Sequence, residues 1–549
     1  PYCRKEISLM RKLMKFFLFV SSLILFFLFF NCSQKLSPVE SGIQTGTLHF
    51  GNQTEPQDLD PHITTGVPEF HILGSIFEGL VNLDPKDLSP LPGAARSWEV
   101  SDDGLTYTFH LRNGARWSNG DPLKASDFVF SFQRILSPAL GAEYAYMLYS
   151  IKNARDFHTS QISDFSLVGA KASDDSTLVI ELDKPTPYFL SLTAHHSFFP
   201  VNPSIILKHG KIDTRGTPWT RPSNLVGNGP FKLTSWEINK IVSVEKNPLY
   251  WDSSRVSLNT IHFYPIENNM TEERAFRTGQ LHITANLPPQ KISWYRENRP
   301  EVLRIDPYLG TYYYLVNVNR KPLDNVNVRR ALSLAIDRKA ITENLLKGGQ
   351  NPATCFTPPE AGGGYRCDSM VMFDTTEAKR LLAEAGYGPG NPLPLISLLY
   401  NTSETHHMTA QAIQQMWKKY LGIDVTLVNQ EWKVYLSSTH GKNYDIARMG
   451  WVGDYDDPNS FLDMWITDGG NNRTGWSNAA YDSLIELASR TADKDSRFAI
   501  FREAEKILLS ELPVIPLYFY TNVYLLHPSV KGWDPNLLNI HNLKFISLK

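Results

Sequence analysis

One apolar run stands out from everything else in the sequence. Phe16–Phe30 is interrupted only by Ser21-Ser22 and is preceded by Arg11, Lys12 and Lys15. A helix needs about 20 apolar residues to cross a bilayer, and this run offers about 15. A basic flank ahead of a short apolar core is the pattern of a secretory signal peptide. The polar stretch Gln34 to Gly46 then reads as a tether, and residues 1–9 as an upstream extension before Met10 or Met14. Residues 1–46 are therefore kept out of the fold reading, and the remainder is expected to fold in water after export. A mean hydropathy of −0.27 excludes a polytopic membrane protein.

The 549 residues are 42% hydrophobic and 12% aromatic, enough for a large core and too many for one compact domain. Two or three lobes follow. Lys+Arg 54 against Asp+Glu 56 leaves no basic footprint, so nucleic acid is not an expected partner. Charged residues at 20%, with so many aromatics, exclude a largely disordered chain. Four cysteines exclude a disulfide-dense scaffold.

Periodicity mixes short strands and helices without a repeat. Leu105, Tyr107, Phe109 and Leu111 alternate with polar residues and predict a half-buried strand. Asp127 to Leu136 predicts a helix closed by Pro138, and Val328 to Ile336 another. Thr376 to Ala385 predicts a helix ended by Gly386, because glycine takes the left-handed turn cheaply. Ile413, Trp417 and Leu421 share a helical face, and Gly422 opens a strand over Ile423–Val428. Helices near Ala480–Arg490 and Asp493–Leu509 precede the apolar segment Val514–Tyr520. Mixed α/β in several lobes is the expected class.

Nucleotide and hydrolase signatures are absent: there is no Gly-rich loop ending in Gly-Lys-Ser/Thr, no GxSxG and no HExxH. Gly362-Gly363-Gly364 reads as a solvent loop. Cys355 and Cys367 flank it, and in an exported protein a disulfide between them is favoured over free thiols. Zinc would want more Cys or His nearby, and the pairs His195-His196 and His406-His407 lack a partner at helical spacing, so no metal or cofactor is expected. The stretch Asn429 to Asn472 concentrates Trp432, Arg448, Trp451, Asp454 and Trp465 among glycines. Arg448 and Asp454 are read here as loop residues, Asp456-Asp457-Pro458 as a solvated turn, and calcium as a weak alternative without the EF-hand spacing.

Several colinear motifs share one resemblance. They are Leu59-Asp-Pro-His62, Gly66-Val-Pro-Glu69, Phe77-Glu-Gly-Leu80, the stretch Ala95 to Phe132 with Ser101-Asp-Asp-Gly-Leu-Thr-Tyr-Thr-Phe-His-Leu-Arg112, Asn228-Gly-Pro-Phe231, Tyr250-Trp251, Thr311-Tyr-Tyr-Tyr314, Gln430-Glu-Trp432 and Arg448-Met-Gly-Trp-Val-Gly-Asp-Tyr455. On these residues the chain resembles the oligopeptide-binding receptors of bacterial ABC importers, extracellular solute-binding proteins of family 5. A cysteine after a short apolar core also resembles a lipobox, with Cys32 as the lipidated residue, although Asn31 departs from the usual small residue.

The resemblance implies a two-lobed periplasmic-binding-protein fold with hinge strands and an accessory domain. The first lobe would comprise 47–77, 200–309 and 522–549, the accessory domain 78–199 and the second lobe 310–521, with crossings near Gly310 and Thr521. It implies a monomeric receptor, not an enzyme, which closes over short peptides held by backbone and termini. Its partners would be permease subunits, their ATPases and, through the lipid, a membrane of the cell envelope. Asp454 matches the residue that meets the ligand ammonium; Arg448 and His406 match carboxylate contacts. Trp432, Trp451, Tyr313, Tyr520 and Val67 match pocket positions, and Gly450 and Asn286 match backbone-binding ones. Trp432, Tyr313 and Tyr520 would otherwise read as core. Thr439 stands where a second carboxylate-binding arginine is implied, Thr65 where a glutamate is, and Leu346, beside Lys347, where a lysine is. Gly310 and Val452 replace two cysteines that are paired in an enteric member. Receptors for dipeptides, murein peptides, haem or chelated nickel share the scaffold, and a secreted hydrolase using His406 or His440 is the rival of another class.

Overall fold

The computed structural model describes residue 10, residues 12–17 and residues 36–549. Cys32 and most of the Phe16–Phe30 run lie outside the described residues. Among those described, no helix is long and apolar enough to cross a membrane.

Three sheets organise the chain. In the first, Thr47–Gly51 runs parallel to Thr260–Tyr264, followed by antiparallel Ile241–Lys246 and Phe231–Glu237. The second is wholly antiparallel: Ala95–Val100, Thr106–Leu111, Thr177–Glu181 and Ala170–Ala172. Thr106–Leu111 buries every second residue, as its alternation predicts. The helix Ala125–Leu136 packs against this sheet through Phe128 and Phe132, both 0% exposed. One continuous hydrophobic core runs from Leu48 through Phe128 to Phe263, so these two sheets pack as a single body.

The third sheet has six strands in the order Asn351–Pro352, Val514–Leu525, Leu303–Val316, Ile446–Val452, Ile396–Asn401 and Val425–Gln430. Thr311 to Val316 sends Tyr312, Tyr314 and Val316 into a core on one face, and Tyr313 and Leu315 into another. A strand covered on both faces reads as a nearly unbroken apolar run, which this segment is. Helices close both faces, including Glu404–Leu421, capped by Gly422 at φ 72°, and Lys494–Glu511, capped by Asp493. The strand after Gly422 begins at Val425, two residues later than expected.

Two long strands connect the bodies. Leu303–Val316 pairs antiparallel with Val514–Leu525 from Leu303↔Leu525 to Leu315↔Val514, with register shifts between Pro307 and Thr311 and between Tyr312 and Tyr313. At the far end Ile283 bridges to both Phe50 and Leu526, which ties the pair into the first sheet. Gly310 and Thr521, the expected crossings, both lie on these strands. Cys355 and Cys367 form a disulfide with a Cα–Cα distance of 6.3 Å. Within the loop they close, Gly362 donates its N–H to Asp456 Oδ1 at 2.8 Å.

Candidate ligand site between the lobes

Arg448 is a strand residue, which corrects its reading as part of a loop. Ile446–Val452 pairs with Leu303–Val316, placing Arg448 opposite Tyr314, Gly450 opposite Tyr312 and Val452 opposite Gly310. Glycines and an arginine hide the strand because its open face meets the lobe seam instead of a packed layer. A Cβ at Gly450 would collide with the Tyr520 hydroxyl, so only glycine permits this approach. Tyr435, on the helix Trp432–His440, donates its hydroxyl to the carbonyl of Arg448 and anchors the strand from behind.

The Arg448 guanidinium lies 4.7 Å above the Tyr312 ring and donates to Tyr520 Oη at 3.0 Å and Asn401 Oδ1 at 3.3 Å. Its Nε is buried without a partner. His406 Nδ1 is 3.4 Å from the Tyr312 hydroxyl, and burial, then the Arg448 charge, push its pKa well below the usual value. The imidazole is therefore neutral at physiological pH. Among the described residues Arg448 has no carboxylate partner.

Asp454 is the complementary case. It follows the strand, with its N–H on Ser460 Oγ at 3.0 Å, while Trp451 Nε1 donates to Ser460 O at 2.6 Å. Its two carboxylate oxygens accept from Tyr144 Oη at 3.1 Å and Tyr146 Oη at 3.2 Å, both across the seam. Burial raises its pKa to about 6 against the opposing pull of these hydroxyls, and no cation pairs with it among the described residues. Asp463 lies close behind, pushed up to about 8 by burial and by the charges of Asp454 and Asp457.

The seam is closed around this pair. Tyr188 stacks on Tyr455 at 4.6 Å, Asn459 Nδ2 donates to Tyr188 Oη at 3.1 Å, and Lys184 Nζ donates to Ser489 Oγ at 2.6 Å. Asp457, expected in a solvated turn, is 5% exposed and ion-paired to Arg497. Charge alone suggested solvent there, and a buried partner forty residues away overrides it.

The remaining expected site residues divide. Tyr520 and Trp451 lie with Arg448 and Asp454. Trp432 is 43% exposed and stacks on Tyr435. Val67 is 36% exposed at the start of the helix Val67–Ile76, and Asn286 donates its N–H to Glu272 Oε2 at 3.2 Å. Tyr313 is 1% exposed between Phe356 and Trp465, a core placement. Leu346 is likewise core, while Thr65 and Lys347 are exposed. Tyr144, Tyr146 and Asp463 were not foreseen. Tyr144 and Tyr146 sit two apart in the 3₁₀ turn Glu143–Leu148, and the carboxylate they meet lies more than 300 residues away in sequence, so no local pattern announces the contact.

Known proteins give the same picture. The model for bacterial extracellular solute-binding proteins, family 5 (middle region), matches residues 89–473. The oligopeptide-binding protein OppA of Bacillus subtilis is 39% identical over 497 residues, 88% of this chain and 90% of that one. The Haemophilus influenzae OppA complex with RPPGFSPFR superposes with TM-score 0.83 at 36% identity, covering 92% of this chain and 99% of the other. Escherichia coli MppA, the murein tripeptide binding protein, superposes at 0.84 with 36% identity over 91% of this chain and 98% of its own. Its unliganded open form reaches only 0.68 at 37% identity over 92% and 98%. The chain belongs to the bacterial extracellular solute-binding proteins of family 5.

Proposed function

We propose that this protein is the substrate-binding receptor of an ABC importer for short peptides, held by their two charged termini between closing lobes. The observation that carries the reading is a half-buried cation and a half-buried anion, Arg448 and Asp454, each without an ionic partner among the described residues and both at one seam. Burying an unpaired charge costs several kcal/mol, so such a pair is a standing demand for a ligand that is anionic at one end and cationic at the other. A zwitterionic peptide meets both. A guanidinium can donate two hydrogen bonds to its carboxylate, and the tyrosine-bound Asp454 takes its ammonium.

The lobes are bounded as the resemblance implies, the long strands act as the hinge, and peptide stabilises the closed state because it touches both lobes only there. Delivery is to membrane permease subunits driven by ATPases, from a protein tethered through lipid at Cys32. Cys32→Ala should release the folded protein from membranes; unchanged membrane fractionation would remove the anchor from the account.

Titration calorimetry with a tripeptide, its N-acetyl form, its C-amide and the doubly blocked peptide tests the central reading. Free tripeptide should bind, each blocked end should weaken it, and blocking both should weaken it most. Equal affinity for all four ligands would overturn recognition by termini.

A further inference from the structure

We infer that Arg473 is a second anchor for the ligand carboxylate, brought to the Arg448 end of the site by the loop after Trp465 and aimed by Thr439. The inference deepens the peptide-receptor reading and rests on it. Arg473 Nη1 donates to Thr439 Oγ1 at 3.2 Å. Thr439 is 0% exposed and lies on the helix Trp432–His440, one turn beyond Tyr435, whose hydroxyl holds the carbonyl of Arg448. Residues four apart share a helix face, so the two arginines reach the same face of one short helix from different elements. Burial raises the Tyr435 phenol to about 12, and the charges of Arg448 and Arg473 both act against that rise.

The loop presenting Arg473 is rigidly built. Tyr444 Oη donates to the Arg473 carbonyl at 2.6 Å, and Arg473 N–H donates to Asn471 O at 3.0 Å. Next in the chain, Asn472 Nδ2 donates to the carbonyls of Trp465, Ile466 and Trp476 at 3.2, 3.2 and 2.8 Å. Val318 N–H donates to the carbonyl of Thr474 at 3.1 Å, closing the other side. Fixing both flanks of one arginine removes entropy that binding would otherwise cost. Yet among the described residues this arginine has no ion pair, and the hydrogen bond to a neutral hydroxyl leaves most of its donor fork free. A solvated arginine would need neither the stapled loop nor the buried hydroxyl. Thr439 itself stands where the resemblance implies an arginine, so the charge missing from the helix returns from the loop, with the threonine as its positioning residue.

Calorimetry of Arg473→Met, Arg473→Lys and Thr439→Val with free-acid and C-amidated peptides of two to five residues tests this. For the free-acid length that Arg473 serves, the Met variant should lose about 10- to 100-fold, the worth of a charged hydrogen bond, while the matching amide changes less than about twofold. Lys should restore part of the loss, as a charge without the planar fork, and Thr439→Val should show a smaller loss with the same acid selectivity. If the Met variant fails to fold, the Lys and Val variants carry the comparison. Equal losses for acid and amide, or no loss at any length while wild type binds, would overturn the role of Arg473. Wild type binding no peptide would instead sink the receptor reading beneath it.

Discussion

Two regions withdraw the same pair of residue types from solvent, one fully and one in part, and treat them in opposite ways. In the first body, Arg134 is 0% and Asp60 2% exposed, and the guanidinium donates both terminal nitrogens to the carboxylate, at 2.9 and 2.5 Å. Burial alone would raise the Asp60 pKa, but Arg134 more than reverses it and leaves the carboxyl below its usual value. At the seam Asp454 is half-buried, no cation answers it among the described residues, and desolvation lifts its pKa to about 6. The chemistry of the residue does not separate structural from functional charge here. The presence or absence of the partner does.

The largest expected effect sharpens that contrast. Arg134→Met should destabilise the protein by about 3–5 kcal/mol, because it strands a buried carboxylate. Arg448→Met removes a cation that has only neutral partners, so the ligand-free protein should lose no more than about 1 kcal/mol. Urea unfolding of the two variants gives the comparison directly. Similar losses would make Arg448 structural and break the distinction.

Next in size is the ligand side of the same contrast. Asp454→Ala should cost peptide affinity about 2–5 kcal/mol, since it leaves a desolvated ammonium without its partner. An N-acetylated peptide brings no ammonium, so the variant should bind it about as well as wild type does. The double cycle isolates the coupling, and a coupling near zero would take Asp454 out of the site.

How much of this was legible in the chain follows from what each signal depends on. Elements set by local period and caps were readable: the strand Thr106–Leu111 through its alternation, and the helix Thr375–Glu384 through the closing Gly386. The two-lobed fold and the proposed anchors Arg448 and Asp454 came from resemblance, because nothing local distinguishes them. The strand Ile446–Val452 was hidden because one face looks onto the seam and carries arginine and glycine where packing would demand apolar residues. Asp457 looked solvated because its partner Arg497 is distant in sequence. Tyr144, Tyr146 and Arg473 are invisible for the same reason: each matters only through a residue on another element.

The smallest expected effect concerns pH and separates the two regions by sign. Asp454 near 6 and Asp463 near 8 both stand above the ordinary aspartate value of 3.8, so between about pH 4 and 8 the folded protein holds protons that the unfolded chain has lost. Stability must then fall as pH rises through that window. Asp60 works the other way: with a depressed pKa it stabilises the fold above about pH 4 and loses that contribution as pH falls. The double variant Asp454→Asn, Asp463→Asn cannot ionise at the seam. Relative to wild type it should gain about 1–2 kcal/mol between pH 5 and pH 8, with the magnitude discounted for partial exposure of both carboxylates. Buried histidines titrate in both proteins and cancel in the difference. Saturating peptide should flatten the wild-type slope, because its ammonium favours the ionised Asp454. Parallel stability–pH curves for wild type and variant, with and without peptide, would show that the seam carboxylates are already compensated in the free protein, and the contrast with Asp60 would collapse.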